Sequence, residues 1–314
     1  MNRIGIVASA LLCFAHSASS KETATPSIHI EDVSRFFAIY DAAAGQPSAE
    51  QLQRDYLDRG SEGLGHFAKM RRITGARIAD TLAKEPQIYS SAKRCMEVLP
   101  RVRERVTVAL RTLIQLYPQA KLPPVTIAVG RGKPVGVGSP VTGIQIGLEA
   151  LCATQYMHAD VEDRFVYVIA HEYAHVQQYQ PLVDKEHPTV LEGSLMEGAA
   201  ELTAELIAGS VSNIAQAAMV KGREREIETA FLADVDKTDV SAWLYNGTRE
   251  KSGDLGYWVG YRILKTYYQR AANKPQALRE ILEMKDPKAL LEKSGWSPGI
   301  ALSPVPSLPE AVRP

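Results

Sequence analysis

Two histidines flank a glutamate in the segment AHEYAH, where His171, Glu172 and His175 form the pattern HExxH. On a helix, residues four apart lie on one face with Cβ atoms about 5 to 6 Å apart, so both imidazoles can reach one zinc ion. Glu172 follows His171 directly and can take a proton from a metal-bound water without being a ligand itself. The spacing therefore predicts a catalytic zinc site.

The surroundings of the motif favour a metal over coincidence. The preceding run RFVYVIA (164–170) is almost entirely apolar, so we expect the motif to lie on a buried helix. Buried histidines and a buried glutamate without partners would be costly, and a metal ion removes that cost. The alternative is a pair of core histidines that form hydrogen bonds to their neighbours.

A second segment, MEGAAELTAEL, supplies Glu197, Glu201 and Glu205 at intervals of four with no lysine between them. Like charges at this helical spacing repel. A catalytic zinc needs a third protein ligand and leaves the fourth position to water. One of Glu197 and Glu201 can bind the metal while the other accepts the outer N–H of a ligand histidine. Glu205 is expected to be a polar residue one turn further out.

HExxH followed by E-G-x-A-E on a downstream helix resembles the gluzincin group of zinc metallopeptidases. This resemblance implies that Zn²⁺ is bound by His171, His175 and Glu197, and that Glu201 supports the site. At position 201 the gluzincin pattern more often has Asp, and the longer glutamate side chain changes the geometry of that support.

A wider series of segments is similar to bacterial predicted zinc-dependent proteases of unknown function. The segments are YLDRGSEGL (56–64), YPQAKLPPV (117–125), HEYAHVQQ (171–178), EGAAEL (197–202) and DLGYWVGYRI (254–263).

Peptide hydrolysis also needs a donor for the oxyanion that forms when water attacks a carbonyl. The gluzincin resemblance implies that Tyr257 or Tyr261 is this catalytic donor. The alternative is that both tyrosines, together with Gly256 and Gly260, mark close packing of helices. The two histidines nearest the motif in sequence, His158 and His187, are expected to be surface loop residues.

Apolar periodicity predicts a mainly helical α+β fold, and the resemblance implies a gluzincin-like zincin with a small sheet before the HExxH helix and a helical C-terminal part. Strands are predicted at 125–130 and 144–151, joined by a mobile glycine-rich connector (130–143) that lacks the phosphate-binding pattern GxxxxGK[ST]. Helices are predicted at 30–40, 52–56, 64–82, 102–116, 161–179, 194–209, 212–233, 255–272, 276–284 and 287–293.

The strand GIQIG (143–147) precedes the zinc helix. In gluzincins an edge strand above the zinc pairs with an extended peptide substrate through main-chain hydrogen bonds. The resemblance makes GIQIG the candidate for that strand, and a plain sheet strand is an equal possibility.

Composition shifts predict four regions: a signal peptide (1–20), an N-terminal helical region (21–117), a metallopeptidase-like catalytic region (118–300) and a proline-rich tail (301–314). The apolar run near the start is shorter than the roughly 20 residues that span a bilayer, which favours a cleaved export signal over an anchor. We therefore expect a periplasmic or secreted protein. After cleavage the cysteines are Cys95 and Cys152, which can be bridged or be two buried thiols.

Thirty-six basic residues balance 36 acidic residues, so no overall field favours nucleic acid or an anionic membrane. The expected partner is a peptide or protein substrate, with no nucleic acid and no stable membrane insertion. The sequence leaves the oligomeric state open. It predicts an exported zinc-dependent hydrolase, a peptidase, and leaves two alternatives: a zinc-containing binding or scaffold protein without turnover, and a zinc hydrolase of a non-peptide substrate.

Overall fold

The structure is a computed structural model, and it describes residues 27–133, 135–249 and 251–303. The predicted signal peptide (1–20) and most of the predicted tail (304–314) lie outside the described residues. The described part is mainly helical with a small mixed sheet, as the sequence predicts.

The region of residues 31–116 is mainly helical. Its helices are α1 (Glu31–Ala42), α2 (Ala49–Gln51), which runs into a π-helical segment (Leu52–Leu57), α3 (Glu62–Arg71), α4 (Gly75–Lys84), α5 (Pro86–Cys95) and α6 (Leu99–Leu116). The single helix predicted at 64–82 is wrong, because Arg72 adopts a left-handed conformation that ends α3 and the Thr74 side chain caps a new helix. Helix α5 was not predicted.

Four strands form one sheet in the order β1-β2-β4-β3, where β1 is Ile28–His29, β2 is Val125–Ala128, β3 is Gly136–Ser139 and β4 is Gly143–Gly147. Strand β2 pairs in parallel with β1 and β4, and β3 pairs antiparallel with β4. The mobile connector predicted at 130–143 is therefore wrong in part, because it contains a strand. GIQIG is a fully buried inner strand, and β3 takes the edge position instead.

The chain after the sheet is almost entirely helical, as predicted. Its helices are α7 (Leu148–Ala153), α8 (Val161–Gln177), α9 (Gln180–Val183), α10 (Val190–Ala208), α11 (Ala215–Val220), α12 (Glu224–Asp234), α13 (Leu255–Arg270), α14 (Lys274–Leu282) and α15 (Pro287–Ser294). Two predictions are wrong here. The strand at 144–151 changes to helix at Leu148, and the helix at 212–233 is divided near Gly222, whose φ of 80° interrupts it.

The predicted N-terminal and catalytic regions share one continuous hydrophobic core. Strand β1 joins the sheet from the N-terminal region, and a disulfide links Cys95 of α5 to Cys152 of α7. The bridge confirms the paired alternative for these cysteines. Among the described residues, no helix has both the length and the apolar character needed to cross a membrane.

Helices α10 and α13 lie unusually close together because glycines face each other. A Cβ atom on Gly198 of α10 would lie 2.2 Å from the carbonyl carbon of Gly260, and a Cβ on Gly260 would lie 1.8 Å from the carbonyl oxygen of Ser194. Both distances are shorter than the contacts that real Cβ atoms make with other heavy atoms. The close-packing interpretation of Gly256 and Gly260 is thus confirmed, and it brings the tyrosines of α13 to the acidic face of α10.

Replacement of Gly260 by alanine should destabilise the protein by about 3 kcal/mol or more, because the added methyl group forces the two helices apart. Gly65, in α3, is the matched control, since a Cβ there would meet nothing within 4 Å. Gly65→Ala should stabilise the fold by about 0.5 to 1 kcal/mol through helix propensity. Urea unfolding measures both, and a wild-type midpoint for Gly260→Ala would contradict the close-packing argument.

Candidate metal centre

Helix α8 carries the HExxH motif into the core. The Asp160 carboxylate caps its first turn by accepting hydrogen bonds from the amides of Glu162 and Asp163. Its side chains are buried on nearly all sides from residue 165 onward, as the apolar run predicts. His171 is only 7% exposed, so any charge that it carries needs a partner within the protein.

Three ligand atoms converge between α8 and α10. The Nε2 atoms of His171 and His175 are 3.1 Å apart, and Oε2 of Glu197 lies 3.3 Å from the first and 3.2 Å from the second. Zinc binds such atoms at about 2.0 to 2.2 Å, and two tetrahedral ligands at that distance are about 3.4 Å from each other. The triangle is therefore close to the size that one zinc ion requires.

The chemistry of these atoms also fits a cation. Oε2 of Glu197 is buried and has no hydrogen-bond partner among the described residues, so it keeps its lone pairs for an ion. Nδ1 of His175 lies 2.9 Å from Oε1 of Gln178, whose amide nitrogen donates to the carbonyl oxygen of Met196. Gln178 thereby favours the tautomer of His175 that carries its proton on Nδ1 and leaves the lone pair of Nε2 facing the triangle.

Glu201 lies one turn beyond Glu197 and is 2% exposed. Its Oε1 is 3.2 Å from Nδ1 of His171, on the side of the ring opposite the triangle, although the two atoms are not aligned as a hydrogen bond. The backbone amide and the hydroxyl of Ser212 both donate to the Glu201 carboxylate. Glu201 thus lies where it could orient a ligand histidine, and Ser212 holds its carboxylate in place.

The electrostatics of the cluster favour positive charge at its centre. Burial by itself would lower the pKa of His171, but Glu197 and Glu201 outweigh burial and raise this pKa well above its ordinary value. Burial would raise the pKa of Glu197, and the two imidazoles instead lower it. Protons on the histidines or a divalent cation can supply this positive charge, and a cation supplies it to all three ligands at once.

Glu172 is positioned beside the cluster and is not part of the triangle. It is 8% exposed, and burial is the main reason that its pKa is raised. A cavity of 180 Å³ is lined by Glu172, His171 and Tyr257, among other residues. A Cβ atom at Gly136 of β3 would lie 2.6 Å from Oε1 of Glu172, and one at Gly138 would lie 2.4 Å from the backbone carbonyl oxygen of Glu172, so these glycines let the edge strand pass close to α8.

The structure separates the two tyrosines of α13. The ring of Tyr257 is nearly parallel to that of His171, at 6.1 Å between centroids. Burial and the Glu197 carboxylate raise the pKa of Tyr257 well above its ordinary value, so the phenol keeps its proton. The hydroxyl of Tyr261 instead donates to Glu205, 2.8 Å away.

Glu205 is more than the outlying polar residue that the sequence predicts. Its carboxylate forms an ion pair with Nζ of Lys265 at 2.9 Å, and Lys265 also donates to the hydroxyl of Tyr261. His158 and His187 stay outside the metal cluster. His158 contacts the carbonyl oxygen of Val211 and is partly buried, whereas His187 is exposed.

Sequence reasoning missed three residues that contact the cluster: Gln178, Ser212 and Tyr245. The hydroxyl of Tyr245 donates to Oε1 of Glu197 at 3.2 Å. Gln178 follows the motif directly and has a side chain of the kind that orients a ligand histidine, so its position carried a usable signal. Ser212 and Tyr245 lie in irregular segments whose contacts depend on tertiary structure, and no spacing rule identifies them.

Replacement of Glu197 and Glu201 by glutamine should separate their roles. Glu197→Gln should lose about one equivalent of zinc, whereas Glu201→Gln should keep zinc with an affinity about 10- to 100-fold weaker. Glu205→Gln, at the third position of the same helix face, is the control and should bind zinc normally. Metal content after dialysis and competition with a chelator give the measurement. A Glu201→Gln variant that loses zinc as completely as Glu197→Gln would reverse the two assignments.

Comparison with known proteins is consistent with this centre. A search of curated proteins and a search of solved structures each gave no match. The matched segment of a family model includes α8, α10 and α13, and it covers less than half of the chain. Over residues 149–288, the chain matches the family described as Predicted Zn-dependent protease (DUF2268), which fits the family expected from the sequence motifs.

Proposed function

We propose that this chain is an exported, gluzincin-type zinc peptidase. The observation that carries the proposal is the convergence of Nε2 of His171, Nε2 of His175 and Oε2 of Glu197 at 3.1 to 3.3 Å, beside a cavity that Glu172 lines. Bound zinc would supply a water of lowered pKa and a Lewis acid for the scissile carbonyl. The remaining steps belong to residues of this chain.

Glu172 acts as the general base. Its buried carboxylate takes a proton from the attacking water and then passes that proton to the leaving amine. The raised pKa of Glu172, caused mainly by burial, brings its proton affinity closer to that needed at neutral pH. A purely structural zinc site would have no use for an acid at this position, so Glu172 favours a hydrolase over a zinc-containing scaffold protein.

The tyrosine that supports the oxyanion is Tyr257. It lies next to His171 and lines the cavity, and it retains its proton for donation. Tyr261 is less suited to this role because its hydroxyl is engaged by Glu205 and Lys265.

Strand β3 is the proposed binding surface for the peptide. It is an edge strand of the sheet, because β4 pairs with only one of its two sides. Gly136 lets it lie against Glu172. An extended peptide can pair with this edge through main-chain hydrogen bonds, which recognise a peptide without requiring a particular sequence. This accessible edge favours a peptide over a small non-peptide substrate.

Export is supported by the sequence of residues 1–20 and by the Cys95–Cys152 disulfide, since such bonds persist in oxidising compartments. The periplasm or the extracellular space is therefore the proposed location.

Glu172→Gln should lower turnover strongly and leave zinc bound, because Glu172 moves a proton but is not a ligand. Loss of a general base lowers the rate by about 10²- to 10⁴-fold. Cleavage of denatured protein, casein and short peptide amides, with and without a chelator, measures the activity. Glu162→Gln, also on α8 but near its start, is the control and should cleave at the wild-type rate. Unchanged hydrolysis by Glu172→Gln would contradict the mechanism.

Tyr257→Phe should lower kcat by about 10²- to 10³-fold with zinc content unchanged, because it removes the oxyanion donor. Tyr261→Phe removes a phenol of the same helix face and should change kcat much less. Steady-state kinetics on the best peptide from the substrate screen compare the two. The opposite order of effects would assign the oxyanion role to Tyr261.

A further inference from the structure

The two carboxylate oxygens of Glu197 have different surroundings. Oε2 faces both histidines of the triangle, whereas Oε1 accepts the hydrogen bond from the hydroxyl of Tyr245. A carboxylate whose second oxygen is held in this way presents one oxygen to a metal and cannot turn freely. Tyr245 itself is 64% exposed, so burial does not explain why its hydroxyl points at a buried carboxylate.

The backbone at Tyr245 is held in an unfavourable conformation. Its φ is 58°, in the left-handed region that a residue with a Cβ atom rarely adopts, and Asp254 has a φ of 59°. Reciprocal hydrogen bonds join Asn246, the residue after Tyr245, to Asp254. The amide of Asn246 donates to Oδ1 of Asp254 at 2.8 Å, and the amide of Asp254 donates to Oδ1 of Asn246 at 2.7 Å.

The residue before Tyr245 is fixed against both helices of the centre. Leu244 is 1% exposed. A Cβ atom on Gly193 of α10 would lie 2.5 Å from its Cδ1, and one on Gly256 of α13 would lie 2.7 Å from its Cδ2. Tyr245 is thus attached to a rigid point between the helix of Glu197 and the helix of Tyr257, and its ring also meets that of Tyr257 edge-on, at 6.5 Å.

We propose that Tyr245 is a positioning residue for the metal centre. Its hydroxyl holds Glu197 with Oε2 turned to the histidines, so that the carboxylate binds through one oxygen and the remaining coordination position stays open to water. The hydrogen bonds between Asn246 and Asp254, next to the left-handed backbone of Tyr245, keep the phenol in place. The inference rests on the proposed metal centre, and it adds a ligand-orienting group that lies outside both motifs.

The test is the zinc dissociation constant of the full-length protein, measured by competition with a chelator. Tyr245→Phe should weaken zinc binding by about 10- to 100-fold, as loss of a partner of a metal ligand does. The matched control is Tyr267→Phe, which removes another phenol–carboxylate hydrogen bond, to Glu280 on α14. That control should bind zinc like the wild type. Asn246→Ala, which removes a hydrogen bond to Asp254 without touching Glu197, should weaken binding in the same direction.

A readout that general destabilisation would not produce is the visible spectrum of the cobalt-substituted protein. If Glu197 in Tyr245→Phe turns and binds through both oxygens, the coordination number rises and the cobalt absorption falls, while Tyr267→Phe keeps the wild-type spectrum. Wild-type zinc affinity and spectrum in Tyr245→Phe would overturn this inference alone. A wild-type protein that binds no zinc would overturn the proposed function, and this inference with it.

Discussion

Helix α10 buries Glu197 and Glu201 one turn apart, and a buried carboxylate is tolerated only where positive charge or hydrogen-bond donors compensate it. The rest of the centre follows from this constraint. The imidazoles of α8 face Glu197, and Ser212 and His171 face Glu201. A divalent cation at the triangle would compensate the acids and would accept both imidazole nitrogens in their neutral form.

Small residues set the distances at which this compensation works. Gly198 and Gly260 let α10 and α13 approach closely, which brings Tyr257 to His171, and Lys265 to Glu205. On the other side, Gly136 lets β3 lie against Glu172. The centre therefore depends on two close approaches that leave no room for a Cβ atom, one between α10 and α13 and one between β3 and Glu172 of α8.

Local spacing made much of the centre predictable. The intervals between His171 and His175, and between Glu197 and Glu201, define helix faces whatever the tertiary structure, so both pairs could be proposed from spacing. The gluzincin resemblance, and not the spacing, favoured Glu197 over Glu201 as the ligand. Two helix breaks were not predicted because single residues decide them, a left-handed Arg72 and a left-handed Gly222. Strand β3 has no apolar alternation, since its glycines serve a close approach, and the sequence therefore resembled a loop.

The same limit applies to the residues that orient the ligands. The spacing of Tyr257 and Tyr261 places both on one face of α13, but only the packing of α13 against α10 separates a tyrosine beside His171 from one bound to Glu205. Tyr245 is further from prediction, because its proposed role depends on its own left-handed backbone and on hydrogen bonds between Asn246 and Asp254.

We propose that α8 and α10 together hold one zinc ion at a single point. Anomalous diffraction at the zinc absorption edge, from crystals of the zinc-loaded protein, would locate this ion. One strong peak is expected within about 2.0 to 2.2 Å of Nε2 of His171, Nε2 of His175 and Oε2 of Glu197. A peak bound to Glu201 in place of Glu197, or no peak between α8 and α10, would contradict the proposal.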